Sequence, residues 1–294
     1  MNRLIAILVV LALASTAHAE NVTVGLFAPS APFASTAARV ELANRLGNHL
    51  GKALGGTGSG RNYARAGDFS AAVRKGDVTV AIVDATYLAG AGGNYTVIAA
   101  AVRGGDTSIT WQLVARGASK IGQLKGKRVL VPSVGGRETD FVLNVLLGGD
   151  IGRDYFTKIE ASPDTASALA ALGVGKTDAA VVPTGVDLPA GVSVVLTLPT
   201  LPGPVLVAYN ATPAQRAALS AATASFKGDA TVTGFRDGDG DSVRAISRRY
   251  SVPVKRGPHA VPAVRLVVGD LVENRSFTIE RTPVTAFAIA PITR

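Results

Sequence analysis

From residue 21 onward, short apolar runs alternate with longer stretches in which apolar residues recur every three or four positions. The first pattern suits buried strands and the second amphipathic helices. "NVTVGLF" (Asn21–Phe27) predicts a strand and "APSAPFAS" a turn. A helix follows, with Ser35 as its N-cap and Val40, Ala43, Leu46, Leu50 and Leu54 at helical spacing. "GGTGSG" (Gly55–Gly60) reads as a flexible loop, followed by a short strand near Tyr63, a helix over Asp68–Gly76 and a strand over Val78–Asp84. A second cycle predicts strands at Arg128–Pro132, Phe156–Ala161 and Ala179–Val182, with helices at Glu138–Leu147 and Thr165–Gly173 between them. One more helix, Thr212–Phe226, has Pro213 suitably placed in its first turn.

Two βαβ-type cycles of similar order imply α/β layers around largely parallel sheets, arranged as two lobes. The apolar segments Ser108–Gly117 and Gly203–Asn210 suit a chain that crosses to the second lobe and returns, making a hinge with a cleft. The expected division is residues 20–110 plus 207–250 for lobe 1 and 111–206 for lobe 2. A β-rich C-terminal extension, 251–294, is expected to follow. Ligands in such sheets bind beyond the carboxyl ends of the strands, so the junctions there are the first place to look.

The N-terminus changes the picture of where the chain acts. Arg3, the apolar run Leu4–Ala14, and small residues at Ala17 and Ala19 form a secretory signal peptide over residues 1–19, cleaved before Glu20. The run is too short to span a bilayer. No cysteine follows it, which removes both a lipid anchor and disulfide staples, so the expectation is a periplasmic protein stabilised by core packing. The net charge of +9 is compatible with an acidic ligand. Aromatic residues make up only 5%, and none interleaves with a basic cluster, so nucleic acid is not an expected partner.

Catalytic patterns are missing. The chain has three histidines, no GxSxG elbow, no Walker loop and no HExxH, so the reading is a non-enzyme needing no cofactor. His49 is expected on a solvated helix face. "DGDGD" (Asp237–Asp241) fails the EF-hand pattern, because Ser242 and Arg248 stand where glycine and glutamate are required, and is read as an acidic turn. Trp111 is expected in the core.

Several segments, taken in order, resemble the periplasmic phosphonate/phosphite/phosphate-binding proteins of ABC transporters. "KGDVTVAIVDATYLAG" (Lys75–Gly90), "IGQLKGKRVLVPS" (Ile121–Ser133), "YFTKI" (Tyr155–Ile159) and "LAALGVGKTDAAVVP" (Leu169–Pro183) are collinear with that family's conserved blocks. The resemblance implies the type 2 periplasmic-binding fold: α/β, two-lobed, with two crossover hinge segments. It implies a monomer that binds a small oxyanion and delivers it to a membrane ABC permease, with Tyr87 in contact with ligand. A sensor or interaction module with a repurposed cleft is the alternative.

The family's Ser-Thr-Ser-Gly anion turn appears here as Ser133-Val134-Gly135-Gly136-Arg137-Glu138-Thr139. Backbone N–H groups, the Ser133 and Thr139 hydroxyls, and Arg137 would seat one oxyanion face. The bland reading is that Gly135 and Gly136 permit a tight turn and Glu138 stabilises a helix start. From the other lobe, Ser30, Asp84, Thr86 and Tyr87 are the candidates; Asp84 is either a partner for a ligand amino group or a turn cap. Thr184, at the end of a lobe-two strand, completes the set.

Overall fold

The computed structural model describes residues 21–251 other than Asp239; the expected signal peptide and the expected extension fall almost wholly outside them. The chain runs β1 (Val22–Phe27), α1 (Thr36–Ala53), β2 (Gly58–Asn62), α2 (Ala66–Lys75), β3 (Val80–Asp84), α3 (Ala85–Ala91) and β4 (Thr96–Val102). It continues through β5 (Ser108–Arg116), β6 (Arg128–Pro132), α4 (Glu138–Asp140) with a π-helical stretch (Phe141–Leu146), β7 (Lys158–Ser162), α5 (Thr165–Gly173), β8 (Ala179–Pro183) and β9 (Val192–Pro202). It then returns through β10 (Pro204–Ala208), α6 (Pro213–Ala224), β11 (Gly234–Asp237) and α7 (Gly240–Tyr250).

Two mixed sheets result. One has the order β11-β4-β10-β3-β1-β2 and the other β7-β6-β8-β5-β9. In the first, β1 lies parallel between β3 and β2, with β10 antiparallel to both β3 and β4. In the second, β6 lies parallel between β7 and β8, and β5 is antiparallel to β8 and β9. The predicted crossings are therefore strands within the sheets. Their apolar residues have partners on both sides, which a bare connector could not offer. The actual passages are residues 103–107 and Gly203, joined by the Gly203 N–H donating to Thr107 O at 2.8 Å.

Alternation along the strands divides the core. Val22, Val24, Leu26, Val80 and Ile82 point to the α1 face, where Leu42, Ala43, Leu46 and Leu50 cover them. Phe27, Ala81 and Val83 point the other way, into a cluster that also takes in Trp111, Val129 and Val131 of the second sheet and Phe141 of the π-helical stretch. On the far face of that sheet, Ala180 and Val182 are covered by Ala168, Leu169 and Leu172 of α5.

Three local expectations are corrected. The glycine run read as a loop supplies β2, and its glycines serve contact: a Cβ on Gly58 would lie 1.8 Å from Gly47 O, so α1 rests directly on strand backbone. Val40 is 37% exposed, and Leu42 takes its place on the buried face. His49 is half-buried, its ring nitrogen 2.8 Å from Ala222 O, because α6 packs across α1 there. Ser35 caps α1, accepting from the Ala38 N–H, and Thr212 and Gln215 form a capping box on α6 behind Pro213.

Candidate ligand seam

In each sheet, the strand order reverses beside the first strand of a βαβ unit, and connections leave in opposite directions. Such switch points open a crevice at the carboxyl ends of the strands. Ser30 follows β1 and Asp84 ends β3 at one switch point; Ser133 follows β6 and Thr184 follows β8 at the other.

Ser30 and Asp84 form a closed pair. The Ser30 N–H donates to Asp84 Oδ2 at 2.8 Å and its hydroxyl to Oδ1 at 2.7 Å. Both carboxylate oxygens are thus engaged, and Asp84 is only 2% exposed. Burial pushes its pKa up to about 6, against the opposing pull of the Ser30 hydrogen bonds and the Arg39 and Arg103 charges. In this arrangement Asp84 fixes the turn after β1, as the turn-cap reading expects.

The opposite lobe docks on that turn. The Thr165 N–H donates to Pro29 O at 3.1 Å, and its hydroxyl lies within 3.3 Å of Pro29 O and 3.2 Å of Ser30 O. Beside it Arg39 of α1 pairs with Asp164, the N-cap of α5, at 3.2 Å. Sequence reading missed both contacts, although "SPDTAS" carries a visible cap at Asp164.

Tyr87 lies across the seam from the glycine turn. Its ring meets Phe27 edge-on at 4.8 Å and Phe69 at 5.8 Å. A Cβ on Gly135 would stand 2.7 Å from Tyr87 Cε2. Gly135 and Gly136 have φ of 84° and 93°, a region that favours glycine. The turn therefore needs glycine twice over, for its backbone and for the approach of Tyr87. Thr86 is buried; its carbonyl accepts from the Tyr250 hydroxyl at 2.9 Å, while its own Oγ1 has no partner among the described residues. The Tyr63 hydroxyl, whose ring packs against Phe69, is likewise buried with no partner among the described residues.

At the turn itself the seat is taken. Glu138 folds back so that Oε1 accepts from the Val134 and Gly136 N–H groups, both at 3.1 Å, with the Ser133 hydroxyl at 3.5 Å. It is buried, at 7% exposed. The carboxylate occupies the donors that the sequence reading offered to a ligand oxyanion. Arg137 also departs from expectation. Its guanidinium lies over the Tyr250 ring at 4.7 Å and bonds Asp140 at 3.1 Å and the Tyr250 carbonyl at 3.4 Å, pinned against α7. Thr139 is half-buried one residue beyond Glu138.

Thr184 is exposed on the wall of a groove of about 680 Å³ that runs between the lobes. Arg103, Thr110 and Thr200 share that wall. Among the described residues, no group of three His, Asp or Glu side chains is placed to hold a metal ion, and no helix is long and apolar enough to cross a membrane. Trp111 is buried as expected, edge-on to Phe141 at 5.2 Å.

No family model and no curated protein matches the chain. Solved structures do match it. PhnD1 from Prochlorococcus marinus, in complex with methylphosphonate, aligns over 79% of this chain and 97% of its own, with a TM-score of 0.61 and 15% identity. A binding-protein component of an ABC phosphonate transporter from Pseudomonas aeruginosa aligns over 78% and 87%, with a TM-score of 0.60 and 13% identity. XAC2383 from Xanthomonas citri, bound to ATP, aligns over 78% and 96%, with a TM-score of 0.59 and 15% identity. With its paired mixed sheets, double crossing and switch-point loops facing one seam, the chain has the type 2 fold of the periplasmic binding proteins.

Proposed function

We propose that the chain is an exported solute-binding protein that closes its lobes on a small oxyanion and passes it to a membrane ABC permease. The observation that carries this reading is the seam itself. Strand-end loops from both sheets converge there, and the buried hydroxyls of Thr86 and Tyr63 have no partner among the described residues. Buried polar groups without partners mark a place where a water or ligand belongs. A solute touching both lobes favours the closed state, because only that state makes both sets of contacts. Methylphosphonate in the PhnD1 complex illustrates a solute of this class. Ser30, Thr86, Tyr87, Ser133, Gly135, Gly136 and Thr184 remain the proposed lining. Binding without turnover is the proposed activity.

A second reading, a sensor of the same fold with a repurposed cleft, draws support from Glu138. A carboxylate already seated on the Val134 and Gly136 N–H groups opposes a dianion at that spot. A thermal-shift series with phosphate, phosphite and methylphosphonate separates the two. Ligand at a hundredfold its Kd stabilises by roughly 2.7 kcal/mol, which raises the melting temperature by on the order of 5–10 °C. Indifference to all three anions would favour the sensor.

A further inference from the structure

The groove on the hinge side of the seam contains a cation with no hydrogen-bond or ion-pair partner among the described residues. Arg103 lies in the passage between β4 and β5, its backbone held by a reciprocal pair of hydrogen bonds with Asp106 at 2.7 and 2.9 Å. Its side chain is half-buried and makes no hydrogen bond or ion pair among the described residues. The carboxylate whose charge it feels is Asp84, whose oxygens bond Ser30 and make no ion pair with Arg103. A partly desolvated guanidinium without an acceptor is costly, and a bidentate oxyanion is its natural complement.

The rest of the wall tells what that oxyanion is attached to. Thr110 and Thr200 share one hydroxyl–hydroxyl bond of 2.7 Å, which leaves each oxygen further capacity. Thr184 uses its N–H on Thr110 O at 2.8 Å, and its hydroxyl has no partner among the described residues. At about 680 Å³ the groove falls within the size range of sites for small organic ligands and far exceeds a bare phosphate or methylphosphonate. Asp106 stands on the same wall, so a second negative group on the ligand would be repelled.

We propose that this groove is the ligand-binding chamber, with Arg103 gripping a single oxyanion group and Thr110, Thr184 and Thr200 bonding a hydroxyl-bearing body. The ligand class is a polyol carrying one carboxylate or phosphate. This deepens the solute-binding reading and depends on it, moving the anion contact from the turn filled by Glu138 to the hinge.

Isothermal titration calorimetry of the intact exported chain with gluconate, glycerol 3-phosphate, inorganic phosphate and methylphosphonate tests it. Wild-type protein is expected to bind gluconate or glycerol 3-phosphate at least tenfold more tightly than the two small anions. Arg103→Ala should weaken that binding at least tenfold, Arg103→Lys should restore part of it, and Thr184→Val should weaken it several-fold. Arg103→Ala loses a charge near Asp84 but no hydrogen bond or ion pair among the described residues, so it should melt within a few degrees of wild type, and weakened binding would not be a folding defect. Wild-type binding that Arg103→Ala and Thr184→Val leave unchanged overturns the chamber while leaving the solute-binding reading standing. Tighter binding of phosphate or methylphosphonate overturns the polyol assignment. Wild-type protein that binds none of the four overturns both readings.

Discussion

Asp84 is a carboxylate whose chemistry its burial strongly alters. Its folded pKa of about 6 lies above the ordinary value of 3.8, chiefly through burial. Between those two values the folded state holds the proton more tightly than the unfolded chain. The stability it contributes is therefore full below about pH 4 and lost as pH rises through 6, amounting to about 3 kcal/mol. Urea denaturation should show wild type losing stability across this window relative to Asp84→Asn, which cannot titrate and still accepts the Ser30 N–H. Parallel profiles for the two proteins would mean that Asp84 is not desolvated. Glu138 permits a second test. Glu138→Ala leaves the buried Val134 N–H and the Gly136 N–H without an acceptor and should cost about 1–3 kcal/mol, whereas Glu138→Gln retains an acceptor and should cost less. Equal losses would show that the carboxylate does not organise the turn.

At the scale of elements, the contact between α1 and β2 is made by glycine. Gly58→Ala drives a Cβ into the backbone at Gly47 and should cost about 3 kcal/mol or more. Gly67→Ala, in the first turn of α2 with open space around it, should be neutral or stabilising by up to about 1 kcal/mol. Melting curves of the two variants check both directions. This contact also shows what the sequence concealed. A glycine run has no side-chain periodicity, so it reads as a loop unless the helix that will lie on it is known. β1, β3, α5, β8 and α6 were legible because their apolar periods match one face or two. α3 was missed because Ala85–Ala91 follows β3 without a break, and β9 because its mixed polarity at a sheet edge has no single period. The candidate site was legible in part. Switch-point logic placed Ser30, Thr86, Tyr87 and the glycine turn at one seam. The fold-back of Glu138, the capture of Arg137 by Tyr250 and the exposure of Arg103 to the groove are all tertiary contacts between distant segments, which periodicity does not encode.

At the scale of the whole molecule, the seam is latched on two sides. Arg39–Asp164 and Thr165 close one side, while Arg137 and Asn144 bond the Tyr250 carbonyl on the other. The groove is lined by Arg103, Gly104 and Asp106 of the first crossing, and the crossings at residues 103–107 and Gly203 are the proposed hinge. Removing one latch should shift the balance without unfolding either sheet. Arg39→Ala is expected to enlarge the ligand-free radius of gyration in small-angle scattering, and a saturating ligand should reverse the change. An unchanged radius would mean that the pair does not govern closure.

The central claim is that a small anion draws the two lobes together. Because the chain has no cysteine, Lys52→Cys on α1 and Lys176→Cys after α5 provide two exposed, unique labelling positions, one on each lobe. Electron–electron double resonance between spin labels there measures the interlobe distance directly, with phosphate, methylphosphonate, gluconate and glycerol 3-phosphate added in turn. The account predicts that at least one of these anions narrows the distribution and shifts it to the shorter, closed distance. A distribution that none of them alters at saturating concentration would contradict it.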